Sequence, residues 1–101
     1  MKMIFEWDPA KAGSNVQKHR VSFELATRVF ADPFALVELD YSESGEDRLK
    51  TLGTADGYTL LVVAHTIQED HDGTEIVRII SARRAEPKER KRYEQNYSLY
   101  S

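Results

Sequence analysis

A chain of 101 residues, 41% of them hydrophobic, is long enough for one domain around one thin core. It has no cysteine, which excludes a disulfide framework, a thiolate metal site and a cysteine nucleophile, and its formal net charge of −3 argues against indiscriminate coating of DNA. The longest apolar run, Leu60 to Ala64, is far short of a membrane span, and the opening Met-Lys-Met-Ile-Phe-Glu-Trp-Asp reaches an acid and a proline too soon for a secretory leader; a soluble, cytoplasmic, single-domain protein is expected.

In chain order, Met3 to Trp7 reads as a short strand built on Ile4, Phe5 and Trp7. Asp8-Pro9 starts a helix, with aspartate as the cap and proline in the first turn, that runs to His19 and closes on the cations Lys18, His19 and Arg20. Ser22 caps a second helix, with Phe23, Ala26, Val29 and Phe30 at helical spacing, and Asp32-Pro33 ends it. Strands follow at Ala35 to Tyr41 and Asp47 to Gly53, separated by a polar turn over Ser42 to Glu46; Arg48, Lys50 and Leu52 share one face of the second. Asp56-Gly57 is the strongest turn signal in the chain. Tyr58 to Thr66 is the most apolar strand, expected at the centre of the sheet with His65 at its end. Gln68 to Gly73 reads as an acidic loop, Glu75 to Ala82 as the last strand, and Pro87 to Asn96 as the last helix. The tail from Tyr97 shows no pattern. The order β-α-α-β-β-β-β-α predicts an α+β domain whose four last strands form an antiparallel meander, with the helices on one side or at one end. No glycine-rich loop follows a strand, which removes a nucleotide-binding α/β sheet.

Charge is unevenly placed. Residues 78 to 92 hold seven of the fourteen lysines and arginines (Arg78, Arg83, Arg84, Lys88, Arg90, Lys91, Arg92) against Glu86 and Glu89. An apolar strand that delivers arginines to its end and leads into a basic helix suits a polyanion better than a small neutral ligand. A straight strand puts Arg78 on the face of Ile76, Ile80, Ala82 and Arg84, with Arg83 and Ser81 opposite. Arg78 inside this run calls for an ion pair with an acid on a neighbouring strand, or for a groove that holds phosphate. Arg83 and Arg84 are the stronger site candidates, and Arg48 can join them. His19 is either a capping cation at a helix end or a proton-transfer group; His65 is either a satisfied core residue or a site residue. Lys88, Lys91 and Arg92 form a solvated face, an anion footprint or the surface for an acidic partner. The three histidines, His19, His65 and His71, are not at metal-ligand spacing, so no metal and no other cofactor is expected. Trp7 and Phe23 are core residues.

The chain resembles a known family over residues 3 to 95. Five stretches carry the likeness, in order: Phe5-Glu6-Trp7-Asp8-Pro9-x-Lys11; Asn15-x-x-Lys18-His19 followed by Val21-Ser22-Phe23-Glu24; Val29-Phe30-Ala31-Asp32-Pro33; Leu60-Leu-Val-Val63; and Arg78-Ile-Ile-Ser-Ala-Arg-Arg84 with Glu89-Arg90-x-x-Tyr93-Glu94. These are similar to the BrnT toxins. The resemblance implies a compact fold like that of the RelE ribonucleases and a toxin of a type II toxin–antitoxin module that inhibits translation by cutting RNA. It further implies neutralisation by a BrnA-type antitoxin with a ribbon-helix-helix domain, the complex binding its own DNA operator. Carried over residue by residue, the basic site falls on Lys18 and His19, Arg48, and Arg83-Arg84, with His65 and Tyr93 as further candidates and Arg78, Lys88 and Arg92 as RNA contacts. Two departures stand out: Arg20 follows the Lys-His pair where many relatives carry glycine, and the Gln68 to Glu75 turn is longer and more acidic. The competing readings are a nucleic-acid-binding module without catalysis, or an interaction protein whose basic groove receives an acidic partner.

Overall fold

The computed structural model describes residues 2–40 and 48–100, and of Tyr100 the backbone alone. Strand β1 (Met3–Glu6) leads to helices α1 (Pro9–His19) and α2 (Phe23–Thr27) and a 3₁₀ turn (Arg28–Ala31). Strands β2 (Leu36–Leu39), β3 (Leu49–Ala55), β4 (Thr59–Glu69) and β5 (Glu75–Arg84) follow, then helix α3 (Pro87–Tyr100). The expected turn at Ser42 to Glu46, and the flanking strand residues Tyr41 and Asp47, lie outside the described residues.

The local chemistry explains these bounds. The Asp8 carboxylate accepts the Ala10 N–H at 2.9 Å and opens α1. Arg20 ends it in the left-handed region at φ 60°, its N–H bonded to the Val16 carbonyl. Ser22 Oγ accepts the Leu25 N–H and opens α2. The second helix is shorter than its spacing predicts: after Thr27 the weaker helix formers Val29 and Phe30 continue as a 3₁₀ turn instead. Asp56 and Gly57 both take positive φ, 59° and 82°, as a tight hairpin turn demands. The acidic stretch after Thr66 is not a loop from Gln68. β4 carries on to Glu69, opposite Glu75, and only residues 70–73 turn, with Gly73 at φ 87°. β5 runs on to Arg84, and the patternless tail is helical to Tyr100.

The sheet order is β1-β5-β4-β3-β2. β2 to β5 form the antiparallel meander, but β1 pairs parallel with β5, Met3 to Glu6 lying opposite Glu75 to Arg78. The sheet is therefore mixed rather than antiparallel. The reason lies in β5, whose nearly continuous apolar residues suit an interior strand with neighbours on both sides. Nor do the helices share one side. α1 and α2 cover the inner face, where Val21, Phe23, Ala26 and Val29 pack on Leu61, Val63, Val77, Ile79 and Ala82. Trp7 joins this core edge-on to Phe23, ring centres 5.9 Å apart. α3 crosses one end of the outer face, where Tyr93 packs on Leu52, Leu60 and Val62.

Two polar side chains tie these layers together. Asn15, 6% exposed, donates to the Val21 carbonyl at 2.9 Å and the Ala82 carbonyl at 2.8 Å, and its Oδ1 accepts the Ala82 N–H at 3.1 Å. Asp32 accepts the Thr54 N–H at 2.9 Å, the Tyr93 hydroxyl at 2.7 Å and the Phe34 N–H at 2.9 Å. Burial opposes the charge on Asp32, yet these donors outweigh it and hold the carboxyl below its ordinary range. Burial, and then the Asp32 bond, push the Tyr93 phenol up to about 12.

Asn15→Ala strands both Ala82 backbone groups, and a loss of about 3 kcal/mol is expected from buried groups left without partners. Arg20→Gly has the opposite sign, a gain of about 1 kcal/mol from relief of the left-handed backbone. Urea midpoints of the two variants at unchanged m-value check both.

Candidate nucleic-acid interface

The site begins with an irregularity in β5. His65 lies opposite Ile79, but the next pair is Ala64 with Ser81, so Ile80 is one residue too many. This bulge exchanges the faces of the strand beyond it. Val77, Ile79 and Ala82 all reach the inner core. Arg78, Ser81 and Arg83 consequently share the outer face, while Arg84 falls on the inner side and is exposed at the strand end. The straight-strand reading, which joined Arg78 to Arg84 and set Arg83 apart, is corrected by this one insertion.

On the outer face, cross-strand neighbours line up as Glu38, Lys50, Ala64 and Ser81, and next to them Leu36, Leu52, Val62 and Arg83. α3 covers Leu52 and Val62 and leaves a recess walled by Asp40, Lys50, Val62, Ala64, Ser81 and Arg83. From the first turn of α3, Glu89 grips Arg83 in a fork, Nη1 to Oε1 and Nη2 to Oε2 both at 2.8 Å, while Oε1 also accepts the Glu86 N–H. The guanidinium holds the Glu89 carboxyl down at about 2, and the same fork raises Arg83 above its ordinary value. Arg83 Nη1 also donates to the Arg84 carbonyl at 3.2 Å. Of the five guanidinium N–H groups, Nε–H and one on Nη2 stay unused among the described residues.

A second recess adjoins the first. β1 accompanies β5 only as far as Arg78, and beyond it α1 lies along the strand, held by Asn15 on Ala82. The gap is lined by Lys11, Ser14, Asn15, Lys18, His19, Ile80 and Ser81. Ser81 lines both recesses, so the two adjoin at the end of β5. Lys11, Lys18 and Lys50 form no ion pair with a described residue.

The structure thus places Lys18 and His19 on one recess and Arg83 on the adjoining one, and lines them further with Lys11, Ser14, Lys50 and Ser81, which sequence reasoning had not assigned. Other candidates lie elsewhere. His65 is 0% exposed on the inner face, its Nε2 2.7 Å from Thr51 Oγ1 and its ring edge-on to Phe30; burial pushes its pKa below the ordinary value. It is the satisfied core histidine, with the sheet between it and Arg83. Tyr93 is a core residue bonded to Asp32, not a surface contact. Arg78 takes the ion-pair reading, 2.9 Å from Glu6 on β1, and Arg92 is paired with Glu38 at 2.9 Å. Lys88 lines a separate recess with Glu86 and Pro87. Arg48 is half-buried just before β3, where alternation puts it on the face of Lys50. Among the described residues no three His, Asp or Glu side chains converge as a metal site requires.

Adjoining recesses rimmed by lysines, one lined by an oriented arginine and the other by a histidine, suit a protein that handles a polyanion. Comparison with known proteins makes that class specific. The family model "Ribonuclease toxin, BrnT, of type II toxin-antitoxin system" matches residues 7–89. The structure is similar to the 1.1 Å crystal structure of the Brucella abortus ribonuclease toxin BrnT, at 25% identity and a TM-score of 0.61, over 85% of this chain and 99% of that one. No curated protein matches the chain. The protein is a ribonuclease toxin of a type II toxin–antitoxin system. It belongs to the BrnT family.

The displaced pKa values set its response to acid. His65 is held below 6.5 by burial, so the unfolded chain takes up the proton first and stability falls as pH drops through 6.5. Glu89 sits at about 2 against an ordinary 4.5, so its contribution is complete above 4.5 and is lost between there and 2. Urea midpoints measured down this range should fall in two stages, and Glu89→Gln should shrink the lower one to the share that Asp32 carries.

Proposed function

We propose that the chain cleaves RNA without a metal ion, with the 2′-hydroxyl of the substrate as nucleophile. The observation that supports this reading is that the recess lined by His19 and the recess lined by the Glu89-oriented Arg83 share Ser81. The reaction needs a base for the 2′-hydroxyl proton, a cation for the charge that builds on the phosphate, and an acid for the departing 5′-oxygen. The 2′-oxygen bonds to phosphorus, the bond to the 5′-oxygen breaks, and the products end in a 2′,3′-cyclic phosphate and a 5′-hydroxyl. Arg83 offers its two unused N–H groups to the non-bridging oxygens, and such oriented donors supply a large share of catalysis because they need no rearrangement as charge develops. His19 moves the proton, the task for which imidazole is the commonest side chain. Lys18 draws the strand in, and Arg48 and Arg84 add to the positive field at longer range.

As the resemblance implies, the reading extends to a RelE-like fold, to messenger RNA as target with arrest of translation, and to a cytoplasmic site of action. It also extends to a BrnA-type ribbon-helix-helix antitoxin that covers the toxin and carries the complex to its DNA operator. A binding module without catalysis would show the same salt-sensitive RNA affinity but form no product.

The test is purified chain with end-labelled RNA in chelator. Product with a cyclic phosphate end is expected, and metal-dependent cleavage would reject the mechanism. Arg83→Ala should lower the rate by at least about a hundredfold, the scale of losing one oriented donor. Arg83→Lys should recover little, because an ammonium cannot satisfy the Glu89 fork and the phosphate together. His19→Ala should lower the rate by about a hundredfold or more, the scale of losing a positioned proton-transfer group. Full activity in a folded Arg83→Ala protein would sink the assignment.

A further inference from the structure

We infer that the recess between α1 and β5 receives one nucleoside of single-stranded RNA, the one whose 2′-hydroxyl is the nucleophile. This rests on the ribonuclease reading and gives its cleft a direction. The floor of the recess is Ile80, the residue that the bulge leaves without a partner on β4 and turns toward α1. Bulges beside functional sites re-aim side chains in this way. Around that apolar floor stand Lys11, Ser14 and Lys18, three and four residues apart and therefore on one face of α1. Lysine stems add aliphatic surface while their ammonium groups stay at the rim, within reach of backbone phosphates. An apolar side chain with hydroxyls and cations around it matches a base and ribose flanked by phosphates better than it matches phosphate alone.

The direction follows from the neighbours. His19 lines the nucleoside recess and Arg83 the adjoining one, with Ser81 between them. A phosphate held at Arg83 joins the ribose in the α1 recess through its 3′-oxygen if that ribose is to present its 2′-hydroxyl to His19. The occupant is thus the nucleoside on the 5′ side of the cut bond, and Ile80 and Ser14 set which bases fit there.

The test measures binding of 2′-O-methyl RNA hexamers, which cannot be cleaved, by fluorescence anisotropy. An abasic residue is moved through each position, and the cut site is mapped separately on ordinary RNA. One abasic position, immediately 5′ of the cut, should weaken binding about five- to tenfold. Ile80→Ala should cost about the same on intact RNA and nothing further on RNA abasic at that position. Because Ile80 is half-buried, a second variant works from the solvent side: Ser14→Phe, on an exposed helix position, should fill the recess and weaken binding about tenfold while the unfolding midpoint holds. Lys2→Ala, just before β1, is the control and should bind as wild type. Losses from Ile80→Ala and the abasic residue that multiply independently would overturn the inference while leaving the ribonuclease reading in place. So would wild-type affinity in Ser14→Phe, or a sensitive position on the 3′ side of the cut. Wild-type protein that binds no RNA would overturn both.

Discussion

Asn15 holds the molecule to one arrangement. β5 has a strand partner on its outer side only as far as Arg78, and past that point its backbone would face water or another chain. A side-chain amide carries one acceptor and two donors, enough to replace a strand residue at one position and still reach elsewhere. Asn15 does both, closing on the N–H and C=O of Ala82 and on the Val21 carbonyl. The bonds fix the roll of α1 against the sheet, and Lys18 and His19 follow three and four residues later on that helix. An edge-sealing bond and a cationic wall are consequences of the same contact. Edge strands invite pairing with other chains, so the seal also protects a short exposed stretch of β5.

The second constraint is electrostatic. Arg83 stands on a half-buried face beneath α3, where a guanidinium without a partner is costly and a fully neutralised one is useless for an anion. The Glu89 fork resolves this by spending one edge of the guanidinium and leaving Nε–H and one Nη2–H. The same carboxylate accepts the Glu86 N–H at the start of α3, so helix position and arginine orientation are set by one group. The acidic surplus of the chain is thereby not spread evenly: a carboxylate sits behind the working cation, while Lys11, Lys18 and Lys50 carry no ion pair with a described residue.

Much of the fold was legible because it rests on local signals. Asp8-Pro9, Ser22 and Asp56-Gly57 each act within a few residues, and the apolar density of Leu60 to Val63 marks a central strand without reference to anything distant. The parallel docking of β1 was not legible, since nothing within the opening strand names its partner. In the site, the bulge was the obstacle. Ile79-Ile80 is apolar on both positions, so alternation gives no clue that the strand slips there, and the slip decides whether Arg83 or Arg84 joins the cleft. Arg78 and His65 were open between a bland and a functional reading, and burial and neighbours resolved both toward the bland one. Tyr93 and Arg92 misled for a different reason: on a helix written as basic and solvated, each reaches across to an acid from an earlier element, Asp32 and Glu38. Asn15 stood in plain view within a quoted motif, yet its role depends on a strand 67 residues away.

The pairing of β1 with β5 has a bearing on birth as well as on form. Glu6 and Arg78 are 72 residues apart, and the first strand and first helix leave the ribosome long before the strand they must join. Until residues 75–84 emerge, the nascent chain has neither the neighbour of its opening strand nor the anchor for Asn15. Closure of the sheet at β1 and seating of the first helix against its edge are therefore late events, and both wait on the same strand.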